Sequence, residues 1–336
     1  MVISEAHKQK LLAIESKLEQ YTFPPQVVIE TTSVCNMKCA HCNHKIMQRP
    51  KFHMSDTLFR KIIDEIALIA PDTEVWPTFY GEAFTLGDTL FERLRYARDK
   101  GLRKLVLNSN GKLLGRKDYI DQILTSGLKR FILSLDGFKK ETFERIRVGG
   151  DRDKIYANVE KLLARKKELG LEFPIIQCQF SAIDDNALEV ADFRAFWESR
   201  GAEVKVRNML SWTNSGDVVA QNLDYETDFR IACPWGNNTM AIHANGNIVA
   251  CAVDYEGHFV AGNAQDESLA SIWQNEHYTK LRKVHKEHRW DELPDVCKTC
   301  PDWQAVGAEY YENKTLGEAK EEARPFWWDK SENHSS

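Results

Sequence analysis

The chain has 336 residues, of which 43% are apolar and 28% charged, enough for one large domain with a buried core and a smaller second unit. Its net charge of -5 gives no footprint for phosphate binding, so we expect no nucleic-acid partner. We find no apolar signal core at the N-terminus and no run of about 18 apolar residues, so we expect a cytoplasmic protein with no membrane partner. Eight cysteines in such a protein indicate metal ligation or catalysis rather than disulfides.

Strand-like and helical patterns alternate from residue 25 to about residue 208. A first helix is predicted over residues 4–20 and ends before Pro24-Pro25. The predicted strands are residues 27–30, 74–80, 104–107, 130–135, 174–180 and 203–207. The predicted helices lie near residues 58–69, with Ser55 as the N-cap, and near 89–100, 118–125, 153–169 and 186–199. Four of these helices are followed by a glycine that we predict to be the C-terminal cap: Gly101, Gly127, Gly170 and Gly201.

Six strands alternating with helices predict an α/β fold built on a parallel sheet. The pattern alone does not separate a curled, barrel-like sheet from an open one. After residue 208 the pattern changes to two short strands around Asn245-Gly246, which predict a hairpin, and helices near 268–274 and 277–287. We therefore divide the chain into an N-terminal helix (1–24), an α/β domain (25–210), a hairpin-containing domain (211–305) and a charged tail (306–336). The tail contains the aromatic patch Phe326-Trp327-Trp328, which we expect to dock on the chain itself.

Three cysteines, Cys35, Cys39 and Cys42, occupy one loop directly after the first predicted strand. A four-iron cluster takes one protein ligand per iron, usually a thiolate, so this loop would leave one iron open for a substrate or cofactor. From these residues alone, the alternative is a structural zinc site in which His41 or His44 supplies the fourth ligand.

A second set of cysteines lies in the C-terminal third of the chain. Cys233, Gly246 and Cys251 form C-x12-G-x4-C, with the glycine in the predicted hairpin turn, and Cys297 and Cys300 add a C-x2-C pair. This spacing is compatible with a four-iron cluster held by four thiolates and also with a zinc knuckle.

The first motif resembles the C-x3-C-x2-C motif of the radical S-adenosylmethionine (SAM) superfamily, and the second set resembles the SPASM/twitch extension of a subgroup. The resemblance covers residues 25 to 303 and implies a partial (β/α)6 barrel of the TIM type followed by a small β-hairpin and helix domain. It implies two 4Fe-4S clusters, one bound by Cys35, Cys39 and Cys42 together with SAM, and an auxiliary one closed by Cys233, Cys251, Cys297 and Cys300. Because no cysteine follows Cys300, the second domain resembles the shorter twitch version.

The same resemblance implies contacts with SAM. His41 takes the position before the third cysteine that lies near adenine, where Tyr or Phe is commoner. Tyr80-Gly81-Glu82 resembles the G-G-E motif, so Gly81 would allow close backbone approach and Glu82 would accept a hydrogen bond from the methionine ammonium. From segments that resemble those touching the ribose or carboxylate we select Asn110 and Ser134, with Arg147 as a carboxylate partner.

Catalytic residues are less well defined, and the candidates are Gln177, Gln179 and Tyr80. Alternation along residues 174–180 places the two glutamines on one face and Cys178 on the other. We expect the glutamines to line the barrel cavity and the Cys178 thiol to pack outward in the core. For five C-terminal histidines we expect solvated or capping roles: His243, His258, His277, His285 and His288.

Together these features predict a radical SAM oxidoreductase that cleaves SAM reductively and uses the 5′-deoxyadenosyl radical to abstract hydrogen from a sugar-like or cyclitol substrate. The auxiliary cluster would take the second electron, and an electron donor such as flavodoxin or ferredoxin is the expected protein partner. The alternatives are epimerisation or dehydration of such a substrate, modification of a ribosomally made peptide, and a non-catalytic zinc or electron-transfer protein. The N-terminal segment of about 25 residues is short for a leader-peptide module, which counts against the peptide alternative.

Overall fold

The computed structural model describes residues 3–183, 186–211 and 223–305. Its strands are β1 Gln26–Ile29, β2 Glu74–Trp76, β3 Val106–Ser109, β4 Arg130–Ser134, β5 Ile175–Ala182, β6 Glu203–Asn208, β7 Thr239–Ile242, β8 Asn247–Val249 and β9 Val260–Asn263. Its α-helices are α1 Glu5–Glu15, α2 Asp56–Ile69, α3 Asp88–Asp99, α4 Tyr119–Leu124, α5 Lys140–Ile146, α6 Arg152–Glu168, α7 Val190–Glu198, α8 Pro234–Asn238, α9 Leu269–Gln274, α10 Glu276–Lys286 and α11 Asp295–Lys298.

The first six strands form a parallel series in chain order. Strand β1 pairs with β2, and β3, β4, β5 and β6 pair successively, all parallel. A single parallel bridge, Val75 to Leu105, joins β2 to the four-stranded part. This arrangement confirms the predicted α/β fold with a partial barrel. All six carboxyl ends face one edge, where parallel sheets carry their chemistry.

The C-terminal hairpin joins this sheet directly. Strand β7 pairs parallel with β1, β8 pairs antiparallel with β7, and β9 extends the sheet, giving the order β2-β1-β7-β8-β9. One apolar core includes Ile29 of β1, Ile242 of β7 and Trp273 of α9. The division at residue 210 remains a prediction, because the two parts share a sheet and a core. The tail 306–336, with Phe326-Trp327-Trp328, lies outside the described residues.

Local chemistry explains several element boundaries. Ser55 accepts a hydrogen bond from the Leu58 N–H at the start of α2, as predicted. The four glycines expected to end helices all have positive φ, between 62° and 99°. Gly246 in the hairpin has φ +89°.

Some predicted elements have different limits. The first helix ends at Glu15, and after Ser16 the N–H groups of Lys17 and Leu18 bond to carbonyls only three residues back. Strand β2 ends at Trp76 because Pro77 has no N–H with which to continue the ladder. Helix α5 and strand β9 were not predicted, since each is a short segment without a clear period.

Among the residues that the structure describes, no helix combines the length and apolar character needed to cross a lipid bilayer.

Candidate active site and auxiliary cysteine site

The three-cysteine loop lies where it was predicted, directly beyond the carboxyl end of β1. It runs alongside the segment after α5, because the Lys38 N–H donates to Val148 O (2.9 Å) and the Ala40 N–H donates to Ile146 O (2.8 Å). Cys39 is buried, and Cys35 and Cys42 are half-buried. The loop is therefore held by backbone bonds on both sides of Cys39.

A buried charge cluster adjoins Cys39. Asp136, just beyond the end of β4, has no exposed surface, forms an ion pair with Arg147 and lies 3.2 Å from His41 Nε2. Arg147 Nη1 also donates to Cys39 Sγ at 3.6 Å. Although burial opposes ionisation, Arg147 and His41 hold the pKa of Asp136 well below its usual range. A guanidinium is thus fixed beside one sulfur of the loop.

Burial has a strong effect on the loop thiols. It raises the pKa of Cys35 to about 12 and the pKa of Cys42 to about 11. Thiolates at these positions need compensating positive charge, which a bound metal centre supplies as it displaces the protons. The loop is therefore suited to a metal cluster rather than to a free nucleophile.

Glu82 is buried beside this loop and accepts three hydrogen bonds from the protein. Its carboxylate accepts from Ser109 Oγ (2.9 Å), from the Asn110 N–H (2.8 Å) and from the Phe84 N–H (3.2 Å). Burial raises the pKa of Glu82, and these hydrogen bonds act in the opposite direction. An incoming ammonium group would favour the charged carboxylate.

Gly81, beyond the end of β2, lies against the backbone of residues 32–34, which lead into the cysteine loop. Its φ is +87°, and a Cβ here would lie 2.4 Å from Thr32 O and 2.9 Å from Val34 O. The close approach predicted at Gly81 is therefore made by the protein's own backbone. Next to it, Asn110 Nδ2 donates to Asn36 Oδ1 inside the cysteine motif (2.9 Å).

The other candidates occupy different surroundings. Ser134 donates to Asn108 Oδ1 (3.1 Å) at the ends of β4 and β3. Gln177 and Gln179 are both buried on β5. Cys178 lies in the main apolar core with Ile176 and Phe180, which confirms its predicted orientation. Burial raises the pKa of Cys178 well above its usual value.

Tyr80 joins the two cysteine regions. It packs with Met47, five residues after Cys42, and with Tyr255, four residues after Cys251. The Tyr80 ring centroid lies 4.8 Å from that of Phe79 and 5.7 Å from that of Tyr255. Tyr80 is therefore a packing residue between the regions in this structure.

The second set of cysteines comes together as predicted in space, although its members lie on separate segments. Cys233, Cys251, Cys297 and Cys300 line one cavity, with Trp235 and Trp303 among its walls. Within the described part of the chain, no group of three or more His, Cys, Asp or Glu side chains is arranged to hold one metal ion. Four thiols placed around one cavity suit a cluster that takes one thiolate per iron.

Two histidines are buried where we expected solvated or capping roles, and one arginine at the cavity was not selected from the sequence. His285 is buried and lines the cavity, where its Nδ1 accepts from the Cys233 N–H at 3.4 Å. His243 is buried at the end of β7 against Phe79. The expectation of solvated or capping roles is therefore wrong for both. Arg230 also lines the cavity and donates to the carbonyls of Cys297 and Lys298 (2.5 and 2.8 Å).

Asp136 was also not selected from the sequence. It lies in the quoted segment Ser134-Leu135-Asp136-Gly137, from which Ser134 was chosen. Its φ of +57° is uncommon for a residue other than glycine and marks a strained position that the fold maintains. The sequence signal that could have identified Asp136 is the Asp-Gly pair directly after a predicted strand.

Comparison with known proteins supports the same assignment. Residues 29–172 match the radical SAM superfamily, and residues 233–301 match the SPASM iron–sulfur cluster-binding domain. An S-adenosyl-L-methionine-dependent 2-deoxy-scyllo-inosamine dehydrogenase from Niallia circulans is 21% identical over 293 residues, covering 85% of this chain and 96% of that protein.

Solved structures show the same fold. BtrN, solved with AdoMet and 2-DOIA, superposes with a TM-score of 0.58 at 17% identity, covering 84% of this chain and 94% of BtrN. Streptococcus suis SuiB, solved with the precursor peptide SuiA, superposes with a TM-score of 0.66 at 15% identity, covering 91% of this chain and 76% of SuiB. The chain belongs to the radical SAM superfamily and carries a C-terminal SPASM domain, so that SAM and 4Fe-4S clusters are its cofactors.

Proposed function

We propose that this enzyme oxidises a C–H bond beside a hydroxyl or amine in a sugar-like or cyclitol molecule. When bound, the clusters supply the reductive cleavage of SAM to a 5′-deoxyadenosyl radical and the acceptor for a second electron. The observation that carries the proposal is the gathering of Cys233, Cys251, Cys297 and Cys300 around one cavity, separate from the three-cysteine loop. A second redox centre suits a net two-electron oxidation.

The protein's own residues would then hold SAM at the carboxyl edge of the barrel. We assign Cys35, Cys39 and Cys42 to the SAM-binding cluster and the cavity cysteines to the auxiliary cluster. Glu82 would bind the methionine ammonium, and Arg147, kept charged by Asp136, would lie near the carboxylate. His41, Gly81, Asn110 and Ser134 complete the proposed SAM contacts.

The substrate class is supported by the similarity to the 2-deoxy-scyllo-inosamine dehydrogenase, which covers 85% of this chain and 96% of that protein. Gln177 and Gln179 are proposed to face the substrate, because they lie on the strand face opposite the core residue Cys178. A flavodoxin or ferredoxin is the proposed source of the first electron.

Peptide modification is the second candidate, favoured by the higher TM-score with SuiB. The two candidates differ in which compound loses hydrogen. If the substrate is a cyclitol, one that is deuterated at the oxidised carbon should transfer deuterium to 5′-deoxyadenosine, which mass spectrometry detects. If the enzyme acts on a peptide instead, the 5′-deoxyadenosine formed in the presence of this cyclitol stays unlabelled.

The metal assignment is tested separately. Anaerobic reconstitution should give about eight irons per chain, and Cys35→Ala/Cys39→Ala/Cys42→Ala should lose about half of the iron and all SAM cleavage. Cys178→Ala is the matched control, because this buried thiol lies in the core, and it should keep both. SAM cleavage by the triple variant would overturn the loop assignment.

A further inference from the structure

The cavity of the four C-terminal cysteines has an arginine in its wall. Arg230 lies three residues before Cys233 in the chain and lines the cavity together with the cysteines. Its Nη1 donates to Lys298 O (2.8 Å) and its Nη2 to Cys297 O (2.5 Å). The guanidinium carbon lies 5.2 Å from the centre of the Trp290 ring. The guanidinium is therefore held by the segment that carries the C-x2-C pair.

One donor of this side chain has no protein partner. Arg230 is half-buried, but its Nε is enclosed and makes no hydrogen bond to any residue that the structure describes. A buried N–H without an acceptor is costly and uncommon in folded proteins. A bound group that accepts hydrogen bonds would satisfy this donor, and the sulfur atoms of an iron–sulfur cluster are such acceptors.

The Arg230 charge also acts on the cysteines themselves. Burial raises the pKa of the Cys233 and Cys297 thiols, and the Arg230 charge opposes that rise at both. Asp302, another residue of the cavity wall, acts on the pKa of Cys233 in the opposite direction to Arg230. Arg230 therefore favours additional negative charge at the sulfur atoms.

We propose that Arg230 raises the reduction potential of the auxiliary cluster by stabilising the negative charge that the cluster gains on reduction. The inference rests on the proposed function, in which the four cavity cysteines hold this cluster. In that reaction the substrate radical releases one proton and gives one electron to the cluster. Net charge and hydrogen bonds to sulfur are two of the factors that set the potential of such clusters. Arg230 thereby favours transfer of the second electron away from the substrate.

The test measures this potential in three full-length variants. Arg230→Gln removes the charge and keeps side-chain N–H donors, whereas Arg230→Lys keeps the charge. Arg282→Gln is the matched control, because Arg282 also donates to a main-chain carbonyl (Trp273 O, 2.7 Å) and lies over a tryptophan ring (4.3 Å from the centre of Trp273). Arg282 is not among the described residues that line the cavity.

Protein-film voltammetry of the reconstituted enzymes gives the midpoint potentials of both clusters. The triple-alanine variant of the three-cysteine loop, which should keep only the auxiliary cluster, identifies the auxiliary midpoint. We expect this midpoint in Arg230→Gln to lie about 59 mV below that of wild type, which is a tenfold weaker preference for the reduced state. Arg230→Lys and Arg282→Gln should stay close to wild type, and the midpoint of the SAM-binding cluster should not change.

The sign of this shift does not depend on acidic residues near the cavity, because the comparison removes only the Arg230 charge. An unchanged auxiliary midpoint in Arg230→Gln would overturn the proposal. An equal shift in Arg230→Lys or in Arg282→Gln would also overturn it, because the effect would then come from lost packing or lost carbonyl contacts rather than from charge at the cavity.

Loss of a cluster has a separate meaning. If Arg230→Gln binds no auxiliary cluster, Arg230→Lys decides: retained iron with a wild-type midpoint supports the proposal, and loss of the cluster or an equally large shift overturns it. A wild-type protein with only one cluster contradicts the proposed function itself. Two clusters whose potentials do not respond to Arg230 contradict this inference and leave the proposed function intact.

Discussion

At the scale of single residues, buried charge defines the site. Arg147 was predicted to contact the SAM carboxylate, and in the structure it contacts Asp136 and Cys39 Sγ. A buried guanidinium needs a paired carboxylate, because an uncompensated buried charge is costly. Sequence patterns identified Arg147 but not its partner, since the two residues lie on different elements.

His243 gives a prediction about pH. Burial, with a further effect from Arg49, lowers the pKa of His243 to about 3, so the folded protein keeps this ring neutral. The unfolded chain binds a proton below about pH 6.5, and folded stability is therefore lost as the pH falls below that value. Between pH 7.5 and 5.5 the wild type should lose about 1.4 kcal/mol of unfolding free energy relative to His243→Gln. Urea unfolding of both proteins at both pH values measures this difference, and parallel pH profiles would contradict it.

At the scale of elements, the loop after β1 and the end of β2 are fitted to each other through Gly81. Gly81 and Gly101 both have positive φ, +87° and +99°, but a Cβ at Gly101 would meet nothing within 4 Å. Substituting Gly101 therefore measures the cost of a positive φ alone, and substituting Gly81 adds the cost of a steric clash.

Gly81→Ala should destabilise the protein by about 3 kcal/mol more than Gly101→Ala, because only the former drives a methyl group into the Thr32 and Val34 carbonyls. Thermal unfolding of the two variants gives the comparison. Equal melting temperatures would mean that the loop after β1 moves aside easily.

At the scale of the whole molecule, Arg49 connects the cysteine loop to the C-terminal unit. Its guanidinium binds Glu30 at the end of β1 with two nitrogens and donates to Tyr255 O (2.5 Å). Glu256 accepts from the Gln48 and Arg49 N–H groups (2.7 and 3.2 Å). Lys61 on α2 forms a second connection, donating to the carbonyls of Ala264 and Gln265 (2.7 and 2.8 Å) away from the cysteine loop.

Arg49→Met should cost about 3–5 kcal/mol, because it leaves the Glu30 carboxylate buried and unpaired. Lys61→Met should cost about 1 kcal/mol, since it removes hydrogen bonds near the surface. Pulsed EPR should give a broader distance distribution between the two clusters in Arg49→Met than in Lys61→Met. Identical distributions would show that the shared sheet alone fixes the two sites.

The sequence by itself determined the alternating elements, the loop after β1 and the identity of seven cysteines as candidate ligands. Hydrophobic period and metal-ligand chemistry are local properties, so they can be read from neighbouring residues. Only the tertiary structure decided that β7 pairs with β1, that Asp136 holds Arg147, and that His285 and Arg230 line the cavity of the four cysteines. These contacts join residues far apart in the chain, and they depend on how the whole core packs and on which buried charges must meet.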